Sequence, residues 1–392
     1  MKLTPLLLLP QLFFLISCST NPNHPASTIR INPDEFVNPV KSGEDWIETI
    51  EFVPLETTGN NFCPDHGRIK YRRGYWLVGN FDYLLIFSED GKLISRISAK
   101  GKGPEEYHWI SDFDLLPDQN QIVIADNKKM TFFSLDGTFI EKKPLPLQPM
   151  NIAALGNDLF AFAPGRLACK RSDSLDNYQF LMTNRQGEII LRKFEFPYRI
   201  LNDTDVEFVS SADNSSWLFS LTYDTRIFQV GPGPQVGVKY CFDFGHLNPD
   251  TAFLQKDIVV NNLNLREFNS GRMIKVSGIA ETSDYIIISC GSDKHQKMTW
   301  RLISRKKGHQ RTVIMNEPPK LGYFKGWPIL PYLSTAGDYL FRPLAAVDVV
   351  EFFDQLSGRQ REELSELKGF KSVTGVKADD NPVIVLYKLR AK

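Results

Sequence analysis

Three stretches of the chain superpose without a gap. Phe87–Ile94 reads FSEDGKLI, Phe133–Ile140 reads FSLDGTFI and Thr183–Ile190 reads TNRQGEII. Their glycines, Gly91, Gly137 and Gly187, are 46 and 50 residues apart. Short apolar runs rich in β-branched and aromatic residues flank each stretch. Gln121-Ile-Val-Ile-Ala and Met130-Thr-Phe-Phe-Ser-Leu are examples, and both read as antiparallel strands. The Asp-Gly pair predicts a tight type I′ hairpin, in which both central residues need positive φ. VGPGPQVGVKY around Gly233 and SRKKGHQRTVI around Gly308 read as a fourth and a fifth copy.

A period of roughly 40–50 residues with four strands per unit is the mark of a propeller. One such unit cannot bury both its faces, so several must close into a ring. The period predicts an all-β, six-bladed β-propeller of four-stranded antiparallel blades. Its blades fall near 63–98, 108–147, 150–196, 205–245 and 273–316, with the sixth split between 329–343 and 381–389. The run Ile47–Leu55 is then spare, and it is expected to supply the outer strand of blade six and close the ring. Residues 249–272 and 347–370 carry helix-like patterns and read as short helical insertions. Length alone would also allow seven blades; six rests on treating these two stretches as insertions.

The first 44 residues have a different character. Lys2 precedes an apolar stretch, Leu6–Ile16, too short to span a bilayer as a stable helix. Residues 19–44 are polar, with prolines and asparagines, and read as a flexible tether with a reach of about 25–30 Å. Leu15-Ile16-Ser17-Cys18 resembles the bacterial lipobox, which implies cleavage before Cys18 and acylation of its sulfur. The resulting organisation is a signal peptide over 1–17, an acylated N-terminus and tether over 18–44 and a propeller over 45–392. Acyl chains would hold such a protein on a membrane, each buried methylene contributing about 0.8 kcal/mol.

GKGPEEY at 101–107 resembles the G-x-G-P-x-E-Y motif of six-bladed β-propeller lipoproteins of Bacteroidetes, a family related in architecture to NHL-repeat propellers. FVPLETT at 52–58 and DDNPVIVLYKL at 379–389 match the start and end of that family as well. The sequence departs from the pattern at Glu105, where the family more often has glycine. The resemblance implies an outer-membrane lipoprotein of the cell envelope. No acidic cluster follows Cys18, and in lipoproteins of this kind such a cluster tends to mark surface export, so a periplasmic orientation is expected. The family's function is largely unknown, so function must be read from the residues.

Charge excludes one class of partner. Lys+Arg and Asp+Glu are 46 each, so there is no net positive charge to bind nucleic acid. AKGKGPEEY (99–107) is not a phosphate cradle. A Walker loop needs four residues between its glycines and a following Gly-Lys-Ser/Thr, and a dinucleotide loop would need glycine where Glu106 stands. The stretch reads instead as the crossing from blade one to blade two. Gly101 and Gly103 are expected to take backbone angles closed to other residues, and Tyr107 to pack between blades.

No H-x-H, H-E-x-x-H or C-x-x-C occurs, so no metal or other cofactor is expected. There is no G-x-S-x-G nucleophile motif. Cys63, Cys169, Cys241 and Cys290 are widely spaced and read as free thiols, although an exported compartment would permit disulfides. Asp112 and Asp114 lie in an inner strand that faces the channel, where hydration alone would account for them. Polar and aromatic residues do gather on the loops of one face. Asp65, His66, Glu105, Glu106, Tyr107, His108, Trp109 and Asp126 are the candidate ligand-binding set. Two functions remain open. One is a monomeric, non-catalytic binding or scaffold module for a glycan, peptide or partner protein. The alternative is a propeller enzyme, a metal-dependent lactonase or other hydrolase or a lyase, with its site at the channel mouth.

Overall fold

The computed structural model describes residues 28–32, 47–59, 61–64, 67–164, 175, 178–195, 199–200, 206–221, 224–249, 259–260, 273–292, 295–306, 310–314 and 334–391. It is a six-bladed β-propeller. Blade 1 comprises β3 (Arg68–Arg72), β4 (Tyr75–Gly79), β5 (Leu84–Ser88) and β6 (Leu93–Ile97). Blade 2 comprises β7 (Asp112–Leu116), β8 (Gln121–Asp126), β9 (Lys129–Ser134) and β10 (Phe139–Pro144). Blade 3 is β11 (Pro149–Gly156), β12 (Leu159–Pro164), β13 (Tyr178–Asn184) and β14 (Ile189–Glu195). Blade 4 is β16 (Val209–Ser210), β17 (Trp217–Ser220), β18 (Arg226–Val230) and β19 (Val236–Asp243). Blade 5 is β21 (Met273–Glu281), β22 (Tyr285–Ser292), β23 (His295–Ser304) and β24 (Gln310–Ile314). Blade 6 joins the two chain ends, in the order β2 (Ile47–Pro54), β27 (Val383–Leu389), β26 (Tyr339–Leu344) and β25 (Ser334–Ala336).

Burial follows position in the blade. Middle strands such as β5 (LLIFS) and β8 (QIVIAD) are buried on both faces, because each blade is packed between two others. Outer strands such as β6 and β14 alternate, with one face turned to solvent. Each inter-blade interface has its own apolar cluster. Leu77, Ile86, Phe113 and Phe133 fill the one between blades 1 and 2, and Trp76, Phe87, Phe341 and Ile384 the one between blades 6 and 1.

The spare strand closes the ring as its sequence predicts. β2 pairs antiparallel with β27 from Ile47↔Leu389 to Pro54↔Val383. Asn381 ties down the chain on either side of this seam. Its side chain accepts from Cys63 N (2.6 Å) and donates to Glu56 O (2.8 Å) and Asn61 O (2.9 Å). The insertion at 347–370 is helical: α1 (Ala346–Asp354), α2 (Gly358–Leu364) and α3 (Phe370–Val373). Ser357 and Gln360 form a capping box at the start of α2. Val349, Phe353, Phe370 and Val373 pack with Phe52, Leu340 and Val385. Phe52 N, on the outer strand, donates to Lys368 O at 3.0 Å, so the insertion shields part of the closing edge. Of the other expected insertion, 249–272, only Pro249 and β20 (Val259–Val260) are described; β20 pairs parallel with β15 (Arg199–Ile200), and the helical expectation lies outside the described residues.

Two local expectations change. The repeated turns are not type I′. Gly91, Gly137 and Gly187 have φ of 85°, 87° and 83°, but Asp90 and Asp136 do not take positive φ. The glycine N–H closes the turn onto Ser88 O (2.9 Å), Ser134 O (3.0 Å) or Asn184 O (3.0 Å), and the strand register shifts beside each turn. The left-handed glycine therefore belongs to a bulge that follows the turn. It also serves the ring: a Cβ on Gly91 would lie 2.2 Å from Pro54 O of the preceding blade, and one on Gly187 2.0 Å from Pro144 O.

The second change concerns the tether. Within 18–44, β1 (Thr28–Arg30) runs parallel to β19 as a fifth strand of blade 4, with Thr28↔Cys241 and Arg30↔Asp243. Ile31 N donates to Asp243 O at 2.8 Å, and the Ile31 side chain is buried against Phe242 and Phe244. A polar composition hid one buried isoleucine and a short edge pairing. Deleting residues 19–27 should leave the melting temperature unchanged. Deletion through Asn32 should lower it by about 2–5 °C, as one buried aliphatic side chain and its edge bonds are lost. Deleting 47–55 should abolish cooperative melting. Calorimetry of the three truncations checks the order.

Candidate functional site

In a four-stranded blade the crossing to the next blade and the loop between second and third strands emerge on one face, here termed the loop face. The crossing 98–111 lies on it. Tyr107 N donates to Ala99 O (2.9 Å) and Gly101 N to Tyr107 O (2.8 Å), folding the stretch into a compact corner. The Glu106 carboxylate accepts from Gly103 N at 2.7 Å. Neither Gly101 nor Gly103 has positive φ. A Cβ on Gly101 would lie 1.9 Å from Glu106 Oε2, so a larger residue there would push the carboxylate off Gly103 N.

Several members of the sequence-derived set are committed to this corner. Tyr107 is fully buried and donates to Asp82 O (2.7 Å) and Ile97 O (3.2 Å). Burial, then the neighbouring Asp82, pushes its phenol well above the usual range, so it stays neutral. Asp126 is 2% exposed; its carboxylate accepts from His108 N (2.6 Å), Trp109 N (3.4 Å) and Asn127 N (2.5 Å). It staples the crossing onto β8. The backbone of Glu106 accepts from Lys142 Nζ. What faces outward is Glu105, His108 and part of Trp109, whose indole N–H donates to Ser111 Oγ (3.1 Å). Asp65 and His66 lie outside the described residues.

One further group escaped sequence reasoning, and of a second the sequence shows only the channel-facing Asp112 and Asp114, without their cationic partners. Phe81, on the loop between β4 and β5, is 69% exposed, and Phe62, on the approach to blade 1, is 46% exposed. Ile110 N donates to Phe81 O (3.0 Å), which links that loop to the corner, and the Tyr83 hydroxyl of the same loop donates to Phe62 O (2.8 Å). Asp82 forms an ion pair with Lys100 beside them. The second group lies in the channel. Arg68, Lys70 and Arg72 alternate along β3 and meet Asp112 and Asp114 on β7. Asp112 Oδ2 accepts from Lys70 Nζ (2.8 Å) and Ile152 N (2.9 Å). Asp114 accepts from Arg72 Nε (2.9 Å) and Ala154 N (2.7 Å).

These carboxylates therefore stitch the inner strands of three blades together. Arg72 reaches across the ring and lies 4.0 Å over the ring of Trp217 in blade 4, which narrows the channel at the end away from the loop face. The signal was present as R-I-K-Y-R and D-F-D, charges at a period of two on strands that point them one way. Among the described residues, no group of three His, Cys, Asp or Glu is placed to hold a metal ion. Cys63 and Cys241 are free thiols there, and burial pushes the Cys63 thiol up to about 12.

Burial opposes ionisation of Asp112, but Lys70, Arg68 and the Ile152 amide outweigh it and hold its carboxyl below the usual range. Glu281, buried near Lys239 and Tyr240, is lowered in the same way: burial raises it, and the Tyr240 hydroxyl and Ala212 amide overcome that. A carboxyl lowered on folding stabilises fully above its unfolded pKa, about 4, and that stability is lost as pH falls toward its folded value. The melting temperature should therefore drop steeply below about pH 4. Asp112→Asn should lower it at pH 7, since a buried pair broken on one side costs about 3–5 kcal/mol. The same variant should show a shallower acid slope in a pH series.

Residues 28–388 match the family described as "Domain of unknown function (DUF4934)". Among solved structures the chain is similar to a Bacteroides fragilis protein described as exported, with a TM-score of 0.67 and 16% identity, over 93% of this chain and 100% of that one. It is also similar to a DUF4221 family member from Bacteroides vulgatus, with a TM-score of 0.47 and 9% identity, over 89% and 99% of the two chains. No curated protein matches it. At these identities the likeness to solved structures is one of fold. The family match spans nearly the whole chain, so the chain belongs to DUF4934.

Proposed function

We propose that this DUF4934 protein is an exported, membrane-tethered propeller that acts as a non-catalytic binding module, with its capture surface on the loop face of blades 1 and 2. The observation that carries this reading is the exposure of Phe62 and Phe81 beside Trp109 and His108, on a rigid rim. Exposed aromatic side chains gathered on one face of a well-packed fold mark a contact surface, whereas singly scattered ones do not. Here Glu105 and the Asp82–Lys100 pair stand around them. Flat apolar rings among hydrogen-bonding groups suit a sugar or a peptide better than a lipid. The crossing itself is pinned by Asp126, Glu106 and Tyr107, so little ordering entropy would be lost on binding.

The anchor is the lipobox-like Leu15-Ile16-Ser17-Cys18. An acylated Cys18 would leave residues 19–27 before β1, at most about 30 Å of extended chain. That would hold the protein in the envelope close to its membrane. The exported description of the similar Bacteroides fragilis protein agrees with such an address.

Two experiments test the reading. Cys18→Ala should move the protein from the membrane fraction to the soluble fraction without changing its melting temperature. Retention on the membrane, with no acyl mass on the wild-type N-terminal peptide, would remove the anchor. For the face, the Phe81→Ala, His108→Ala and Trp109→Ala triple variant should lose binding on a glycan array by about tenfold or more, with melting unchanged within a few degrees. Undiminished binding by the triple variant would place the capture surface elsewhere.

A further inference from the structure

The charged channel is unbalanced at one end. Along β3 and β7 there are three cations, Arg68, Lys70 and Arg72, and two anions, Asp112 and Asp114. The lower part is matched and sealed. Lys70 and Arg72 are 14% and 12% exposed, and each has its own carboxylate. Arg68 is the surplus charge. It stands at the first residue of β3, where the chain enters from the loop face, and its side chain is 46% exposed.

Arg68 is held along one edge only. Nη1 donates to Asn151 Oδ1 (2.8 Å) and Met150 O (3.5 Å) and lies 3.1 Å from Asp112 Oδ1. Asn151 is itself buried and fixed, its amide donating to Val206 O at 3.0 Å. Among the described residues Nη2 and Nε have no partner. A guanidinium clamped at one nitrogen presents its remaining N–H donors in a fixed plane, and that plane matches the two oxygens of a carboxylate.

We infer that Arg68 is a carboxylate subsite at the channel mouth, and that the ligand of the loop face is an acidic saccharide whose carboxylate docks there. The inference rests on the loop face being the capture surface. Asp112, the partner of Arg68, is three residues beyond Trp109 on the same segment, so the aromatic rim leads into the mouth. A sugar ring stacked on the rim would carry its carboxylate toward the fork. An acidic peptide would offer carboxylates as well, but on flexible side chains, whereas a uronic acid fixes its carboxylate to the same ring that stacks and so presents both groups as one rigid unit.

The test is calorimetric titration with oligogalacturonate, the neutral galactose oligomer of equal length and a polyglutamate peptide. Wild type, Arg68→Gln, Arg68→Lys and Phe81→Ala are compared, each verified by its melting curve. The acidic oligosaccharide should bind wild type more tightly than the neutral one. Arg68→Gln should weaken it about 10- to 100-fold and leave the neutral oligomer unchanged. Arg68→Lys keeps the charge and the Asp112 pair but loses the fork, and should recover only part of the affinity. Phe81→Ala should weaken both saccharides. Equal affinity for the two saccharides in wild type, or acidic binding unaffected by Arg68→Gln, overturns the carboxylate subsite while the capture surface stands. Tight binding of polyglutamate in place of the saccharides overturns the saccharide assignment. Saccharide binding indifferent to Phe81→Ala removes the capture surface itself.

Discussion

Everything in this fold depends on one backbone ladder, the pairing of β2 with β27. A row of blades left open would expose the face of its first and last members and two strand edges. The chain avoids this by giving its last blade an outer strand from its own beginning, so that Ile47 lies opposite Leu389. The six apolar clusters then become equivalent, each held between two blades and none terminal. Asn381 and the backbone bond from Phe52 to Lys368 reinforce the seam from the loop-face side, where blade 6 carries its helical insertion.

The architecture was legible because it repeats. FSEDGKLI and FSLDGTFI announce a turn at a fixed place in each blade, and the spacing of their glycines gives the blade length. The closing strand followed from counting strands. The turn geometry was not legible, because Asp-Gly fits both a type I′ turn and a turn with a following bulge. Only the register beyond the turn separates them. β1 was missed for a related reason. Three residues in a proline- and asparagine-rich segment carry no periodicity, and their partner is more than two hundred residues away.

The site was legible only in part. GKGPEEY was readable as a corner, and Tyr107 as a residue packed between blades. But proximity in sequence made Asp126, Glu106 and Tyr107 look like ligand contacts, whereas their hydrogen bonds go to the crossing itself. Sequence shows that a carboxylate is present; it does not show whether its lone pairs are already used. The same limit hid half of the channel: the sequence points Asp112 and Asp114 into it, but not the cations that pair with them. Arg68, Lys70 and Arg72 carry no local motif, and their role emerges only when β7 brings Asp112 and Asp114 to face them across forty residues of chain. Phe62 and Phe81 look like core residues because most phenylalanines here are.

The position of β1 has a mechanical consequence. A pull on the chain ahead of Thr28 reaches β1 before it reaches β2. β1 is bonded in parallel to β19, and Ile31 just beyond it is seated in the core between blades 4 and 5. Load is therefore taken up at the flank of blade 4, by a strand the ring does not need for closure. The seam between β2 and β27 is left slack, as a cable clamped to its housing leaves the solder joint unstressed.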